Sequence, residues 1–322
     1  MTERVAYYNG QYVLESEVMI PFRDRGFVLG DAVFDTARTF GGKIFKLEEH
    51  IERLYRSLKA IDINPGIEPQ KMQEISEEVV KRNLPMLNEG EDYWVFQRIT
   101  RGQNVVGGEI WQSGGSTVIV ECTPLPIKPR AKLFREGIDM HIPSIRRIPP
   151  ECLSPSVKSH NYLNLVLADL EVRDKGPNAW AILLDTRGFL CEGIGSNLFL
   201  VRDGCLFTPR SQYVLAGVSR QTVIELAEKL NITVIEDDLS PYDALNADEA
   251  FITSTSFCIC PASSCNGKPI GKSQVPGPMT EKLQQAFVEL VGYNFVDQYL
   301  SYLPEEYIST DQESLWVQEL SV

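Results

Sequence analysis

Two neighbouring apolar runs, Ala179-Trp-Ala-Ile-Leu-Leu-Asp185 and Asn197-Leu-Phe-Leu-Val201, set the fold class. They read as a strand pair with no helical stripe between them, which argues against a regular βαβ alternation. Working outward, Arg220 to Leu230 predicts a helix, Glu249 to Thr253 a strand, and Met279 to about Val291 a long amphipathic helix. On the other side lie a helix over Asn161 to Asp174 and a strand over Asp139 to Ile145. The first third shows strand character at Val5 to Val13 and Val33 to Phe45, broken by the hairpin signals Asn9-Gly10 and Gly41-Gly42. Ile51, Leu54, Tyr55, Leu58 and Ile61 then fall on one stripe of a helix spanning Glu48 to Ile61. Met72, Ile75, Val79 and Val80 mark a second helix that ends before Pro85. Strands resume at Tyr93 to Thr100 and Thr117 to Cys122, flanking a glycine-rich loop from Arg101 to Gly115. A mixed α+β fold follows, and a doubly wound parallel sheet is disfavoured.

The proline-punctuated stretch Thr123-Pro-Leu-Pro-Ile-Lys-Pro-Arg130 is unsuited to a central strand or a helix interior, so it predicts an interdomain linker. The expected layout is a small α/β domain over 1–122, a linker over 123–134, a larger domain over 135–300 and an acidic tail over 301–322. With 44 acidic against 31 basic side chains the net charge is −13, which argues against broad affinity for nucleic acid or anionic membrane. An anionic ligand would need locally placed basic groups. The N-terminal MTERVAYYNGQYVLESEV lacks the basic start and apolar core of a secretory signal, and no apolar run reaches membrane-spanning length. A cytoplasmic protein is expected. Seven scattered cysteines do not form a disulfide framework. The cluster Cys258, Cys260 and Cys265 lies far from His50, His141 and His160, so core thiols are favoured over a metal site, and no metal is expected.

Phosphate-loop, dinucleotide, zinc-protease and nucleophile-elbow signatures are missing. Four other segments stand out. Pro155-Ser-Val-Lys158-Ser-His-Asn-Tyr-Leu163 places a lysine before an apolar helix, where the positive helix end favours the nucleophilic amine. A solvated surface lysine is the plainer reading of that residue alone. Leu190-Cys-Glu192-Gly-Ile-Gly-Ser-Asn197 sets a carboxylate beside glycines that let backbone approach a ligand, or is simply a turn. Leu215-Ala-Gly217-Val218-Ser219-Arg220 precedes a helix whose free N–H groups suit a phosphate, or is an N-cap at Ser219. Thr253-Ser254-Thr255-Ser256 offers hydroxyls at a strand end, as an exposed edge also would.

Taken in order, these segments resemble the class IV pyridoxal-phosphate aminotransferases from about Val5 to Val291. The resemblance rests on Arg25-Gly-Phe-Val-Leu-Gly-Asp-Ala-Val-Phe34-Asp, Glu49-His-Ile-Glu-Arg53-Leu, Lys158-Ser-x-Asn-Tyr-Leu, Glu192-Gly-x-Gly-Ser-Asn, Gly217-Val-Ser-Arg220 and Ala247-Asp-Glu-Ala-Phe. It implies the two-domain fold type IV, with pyridoxal 5'-phosphate in the interdomain cleft of a homodimer. It further implies a Schiff base to Lys158, whose freed amine moves the substrate proton, and ping-pong transfer from an amino donor to a 2-oxo acid. Arg53 would hold the phosphate together with Gly217, Val218, Ser219, Ser254 and Thr255. Glu192 would face the pyridine nitrogen, with Gly195, Ser196, Asn197 and Tyr162 around the cofactor.

For the substrate, the resemblance points to Phe34, Leu29, Trp94 and Arg38. The D-amino acid branch carries an arginine and a histidine in the loop that here offers only Arg101, and its site tyrosine is replaced by Phe34. The branched-chain pattern has a tyrosine at Leu29 and an arginine at Phe96, although Val33 to Arg38 is similar to that branch. Ile145-Arg-Arg-Ile-Pro-Pro150 is similar to (R)-amine transaminases. A hydrophobic donor, either a branched-chain amino acid or an (R)-amine, is therefore expected. The alternatives are a D-amino acid aminotransferase, an aminodeoxychorismate-type lyase, and a non-catalytic binding protein, the last opposed by intact Lys158 and Glu192.

Overall fold

A computed structural model describes residues 3–272 and 274–304. The first half of the chain holds β1 (Val5–Tyr8), β2 (Gln11–Leu14), α1 (Arg25–Leu29), β3 (Ala32–Phe40), β4 (Lys43–Ile44), α2 (Leu47–Ala60), α3 (Pro69–Asn83), β5 (Tyr93–Thr100) and β6 (Thr117–Pro124). Its strands form an antiparallel six-stranded sheet in the order β2-β1-β6-β5-β3-β4. Asn9 and Gly10, both at positive φ, close the β1–β2 hairpin. Leu54, Leu58, Met72, Ile75 and Val79 of α2 and α3 pack against Val33, Ala37 and Val95 of the sheet. The period-2 alternation of β3 and β5 turns those residues to the helices and leaves Phe34, Thr36, Trp94 and Phe96 on the opposite face.

The second half holds α4 (Ile127–Glu136), β7 (Ile138–His141), α5 (Leu163–Val172), β8 (Ala179–Leu184), β9 (Leu190–Gly193), β10 (Ser196–Arg202), β11 (Cys205–Pro209), α6 (Val218–Lys229), β12 (Val234–Asp237), α7 (Pro241–Leu245), β13 (Glu249–Ser254), β14 (Cys258–Cys265), β15 (Lys268–Pro269), α8 (Pro278–Val291) and α9 (Phe295–Leu300). The sheet order is β12-β11-β10-β13-β14-β7-β8-β9, and β9 also pairs with β10, so six strands close into a ring. Three pairings are parallel, β11–β12, β14–β7 and β7–β8, and the rest are antiparallel. The ring leaves β10 and β9 without a free edge at their junction. Phe199 and Phe251 stack at 5.1 Å inside its core, and Phe287 and Phe295 of the last helices pack over it. Phe40 of β3 belongs to this second core, so the two halves are sewn together at a buried seam.

The two sheets, each with helices packed on it and a core of its own, form the mixed α+β fold expected from the sequence. The stretch expected as a linker is different. β6 runs on to Pro124, and α4 opens at Ile127 with Pro126 as its N-cap and Pro129 in its first turn. Proline costs nothing there because first-turn N–H groups have no helical partner. The strand expected over Asp139 to Ile145 stops at His141, and α6 begins at Val218 with Gly217, not Ser219, as its N-cap. Of the acidic tail, residues 305–322 lie outside the described residues.

Candidate active site

The segment before α5 runs along the outer edge of β3. Phe34 N–H donates to the Lys158 carbonyl at 2.9 Å, His160 N–H donates to the Ala32 carbonyl at 2.9 Å, and Val33 bridges to Ser159. The Lys158 N–H reaches the Ser57 hydroxyl of α2 at 3.2 Å. Backbone pairing thus fixes Lys158 at the seam, 8% exposed, with its side chain turned into the cleft between the halves. Its Nζ donates to the Tyr162 hydroxyl at 3.2 Å and sits 4.5 Å from the Phe34 ring centroid. Among the described residues no carboxylate lies within 4.0 Å of it.

One cleft is lined by Arg53, Lys158, Tyr162, Glu192, Gly195, Ser196, Asn197, Gly217, Val218, Ser219, Ser254 and Thr255, bringing together every residue expected around a cofactor. At one end the start of α6 presents free backbone N–H groups beside the buried Arg53. Arg53 is held by Asp35 of β3, through Nε at 2.8 Å and Nη2 at 2.7 Å, and donates from Nη1 to the Ala216 carbonyl at 3.0 Å. Asp35 also takes His50 Nδ1 at 2.7 Å. Burial alone would raise the Asp35 pKa, but Arg53 and then His50 outweigh it and hold the carboxylate ionised well below its usual range. His50 is pushed down, mainly by burial.

Elsewhere in the cleft, Glu192 accepts Arg147 Nε at 2.9 Å and the Leu215 N–H at 2.9 Å. Asn197 Nδ2 donates to the Leu215 carbonyl at 3.0 Å, and the Ser196 hydroxyl accepts from Trp180 Nε1 at 3.1 Å, so both position loops around the cleft. The Thr255 hydroxyl donates to the Thr36 carbonyl at 3.0 Å, which spends its proton on the seam.

The four residues expected to meet substrate divide evenly. Phe34 and Trp94 line a second chamber that shares Lys158 and Tyr162 with the cleft. Arg38 lines neither chamber. Its guanidinium donates to the Ser256 carbonyl at 2.9 Å and Gln298 Oε1 at 3.0 Å, and pairs with Asp92 at 3.6 Å. Leu29 lines neither chamber and stands 49% exposed at the end of α1. Sequence reasoning missed Asp35, His50 and Arg147 as site residues. Asp35 and His50 lie within the quoted motifs, and a charged residue at a core-facing position of β3 was the available signal for Asp35.

The donor set suits a phosphorylated pyridine aldehyde: a cationic helix start for the phosphate, a buried carboxylate paired to arginine, and an amine without an acidic partner among the described residues. Comparison with known proteins agrees. The pattern described as Amino-transferase class IV matches residues 32–265. A putative branched-chain-amino-acid aminotransferase of Methanocaldococcus jannaschii is 36% identical over 285 residues, covering 88% of this chain and 95% of that protein. A D-alanine aminotransferase of Bacillus licheniformis is 29% identical over 280 residues, covering 87% and 94%. Among solved structures, the T.th. branched-chain amino acid aminotransferase complexed with N-(5'-phosphopyridoxyl)-L-glutamate matches with a TM-score of 0.80 at 26% identity, covering 95% of this chain and 97% of that one. The Escherichia coli branched-chain enzyme matches with a TM-score of 0.80 at 29% identity, covering 90% and 95%. From the lysine at the seam to the helix start beside Arg53, this chain belongs to the class IV aminotransferases, the pyridoxal-phosphate-dependent transaminases of fold type IV.

Proposed function

We propose that this enzyme transfers the amino group of a hydrophobic donor, a branched-chain amino acid, to a 2-oxo acid, with Lys158 as its catalytic base. The observation that carries the reading is the placement of Lys158 Nζ between the cofactor cleft and an apolar chamber walled by Phe34, Trp94, Phe96, Trp180 and Phe257. Bound pyridoxal phosphate supplies an electron sink for the carbanion that forms at the substrate carbon. The chain's own residues do the rest. Lys158 Nζ takes the proton from that carbon and would hand it on to the cofactor's aldehyde carbon, so that the amino group stays behind when the 2-oxo product leaves, with the Tyr162 hydroxyl orienting the amine. Glu192, braced by Arg147, would offer its carboxylate to the ring nitrogen. The N–H groups opening α6 and the Arg53 guanidinium would take the phosphate, and Asp35 keeps Arg53 from turning away. The relative from Methanocaldococcus jannaschii supports the branched-chain substrate, and an (R)-amine is the competing donor for the same apolar walls.

The proposal extends to a small domain over 1–122 and a cofactor-binding domain over 135–300. The separate cores of the two sheets support this, with α4 in place of a free linker. It also extends to a homodimer, supported by apolar side chains left on the surface of α1, α5 and the 101–115 loop: Phe27 is 73% exposed, Trp111 71% and Leu163 70%. A cytoplasmic location is supported by seven free cysteines. Among the described residues no helix is long and apolar enough to cross a membrane. The test is Lys158→Ala. It should lower multiple-turnover transfer from leucine to a 2-oxo acid by about 10³-fold or more, with an unchanged circular dichroism spectrum. Wild-type rates in the variant would remove the reading.

A further inference from the structure

The chamber beside the cofactor cleft carries a cation that the family resemblance did not assign. Arg130, in the first turn of α4, enters between aromatic walls: its guanidinium carbon lies 4.7 Å from the Phe257 ring centroid, 5.2 Å from Trp94 and 5.8 Å from Trp180. Nη1 donates to the Ser256 hydroxyl at 2.6 Å. Among the described residues, no carboxylate lies within 4.0 Å of it, although Arg38, Arg53, Arg98, Arg101 and Arg147 each have an acidic partner. Burial acts against its charge and pushes its pKa below the ordinary arginine value. Ring faces offset part of that cost, but they accept no conventional hydrogen bond and leave most of the planar fork unused. A guanidinium half-buried among rings with no anion beside it is costly to keep, so its complement should come from outside the chain.

We propose that Arg130 binds the carboxylate common to the amino acid donor and the 2-oxo acid acceptor. This deepens the aminotransferase reading and rests on it. A carboxylate accepts two parallel N–H bonds from a guanidinium, and the rings around Arg130 leave N–H groups of its planar fork for such a partner. The other walls are apolar, so the substrate side chain meets Phe34, Phe96 and Trp180 while its carboxylate meets Arg130 and the Ser256 hydroxyl. The consequence is specificity for carboxylate-bearing donors over plain (R)-amines.

The experiment compares the pyridoxal-phosphate-loaded wild type with Arg130→Gln and Arg130→Lys. Tryptophan fluorescence, reporting from Trp94 and Trp180, follows titration with 4-methylvalerate and with the neutral 4-methylpentan-1-ol. The wild type should prefer the carboxylate by roughly 30-fold or more, Arg130→Gln should erase that preference, and Arg130→Lys should restore part of it. In parallel, kcat/KM for 4-methyl-2-oxopentanoate should fall by roughly 30-fold or more in Arg130→Gln, while cofactor absorbance and the half-reaction with a carboxylate-free amine stay within about 3-fold. Three results would overturn the inference: a wild type with no preference for the carboxylate, equal loss of acid and alcohol binding in Arg130→Gln, or losses confined to dicarboxylic 2-oxo acids. Failure of the underlying reading would look different, as absence of turnover in the wild type with every donor.

Discussion

His160 sits two residues from Lys158, and its ring meets Phe34 edge-on at 5.2 Å. Burial, then the charge of Arg98, pushes its pKa down to about 4. An unfolded histidine titrates near 6.5, so between about pH 6.5 and 4 the unfolded chain takes up a proton that the fold refuses. Stability should therefore fall as pH drops through that window and be independent of this group above it. Replacing His160 with Gln should reduce the slope of the urea-unfolding free energy against pH between 6.5 and 4, with the contribution of His50, in the same direction, remaining. An unchanged slope would show that His160 is protonated as easily in the fold as outside it. At this scale the sequence is legible where chemistry demands one residue type. Lys158, Glu192 and Arg53 follow from their motifs and line one cleft. Arg130 does not, because its meaning comes from Trp94, Trp180 and Phe257, which stand 36, 50 and 127 positions away along the chain.

Elements place those residues. The lysine is delivered by a short segment that pairs with the edge of β3, and the anion seat is made by the first turn of α6. Gly217, the α6 N-cap, has φ −66°, which any residue tolerates. Its constraint is space: a Cβ there would stand 2.1 Å from Asn197 Oδ1. Asn197 holds the Leu215 carbonyl, so a side chain at 217 must push apart the loop that aims α6 at the cleft. Gly217→Ala should weaken pyridoxal phosphate retention by about 10-fold or more in equilibrium dialysis, with a smaller effect on folding. Unaltered retention would mean that the loop yields without moving the helix start. Helices and strands with strong periodicity, such as α2 and β5, are legible within a few residues. The proline-rich stretch after β6 is not: three prolines near one another read as a linker, whereas two of them occupy the N-cap and first turn that a helix leaves free.

For the whole molecule, local patterns imply a mixed α+β class but not the closure of six strands: β9 and β10 meet in a local hairpin, whereas the pairings β10–β13, β14–β7 and β7–β8 that complete the ring join segments far apart in the chain. Nor does periodicity reveal which apolar residues remain outside. Phe27, Trp111 and Leu163 do. If the proposed homodimer uses this face, Phe27→Glu should shift sedimentation from a dimer toward a monomer of 36.3 kDa and lower activity with it. A dimer unaffected by the substitution would place the contact on another face. The Arg38 network has a further consequence for how the two halves hold together. Each of its partners in the second half, Ser256, Cys258 and Gln298, grips a guanidinium rooted in β3, and Asp92 completes the set from the first half. Prising the halves apart would break its three contacts with the second half at once and leave Asp92 as its partner. The seam is therefore bolted through one guanidinium, and any widening that carries Ser256 and Gln298 away from β3 must break those bonds together.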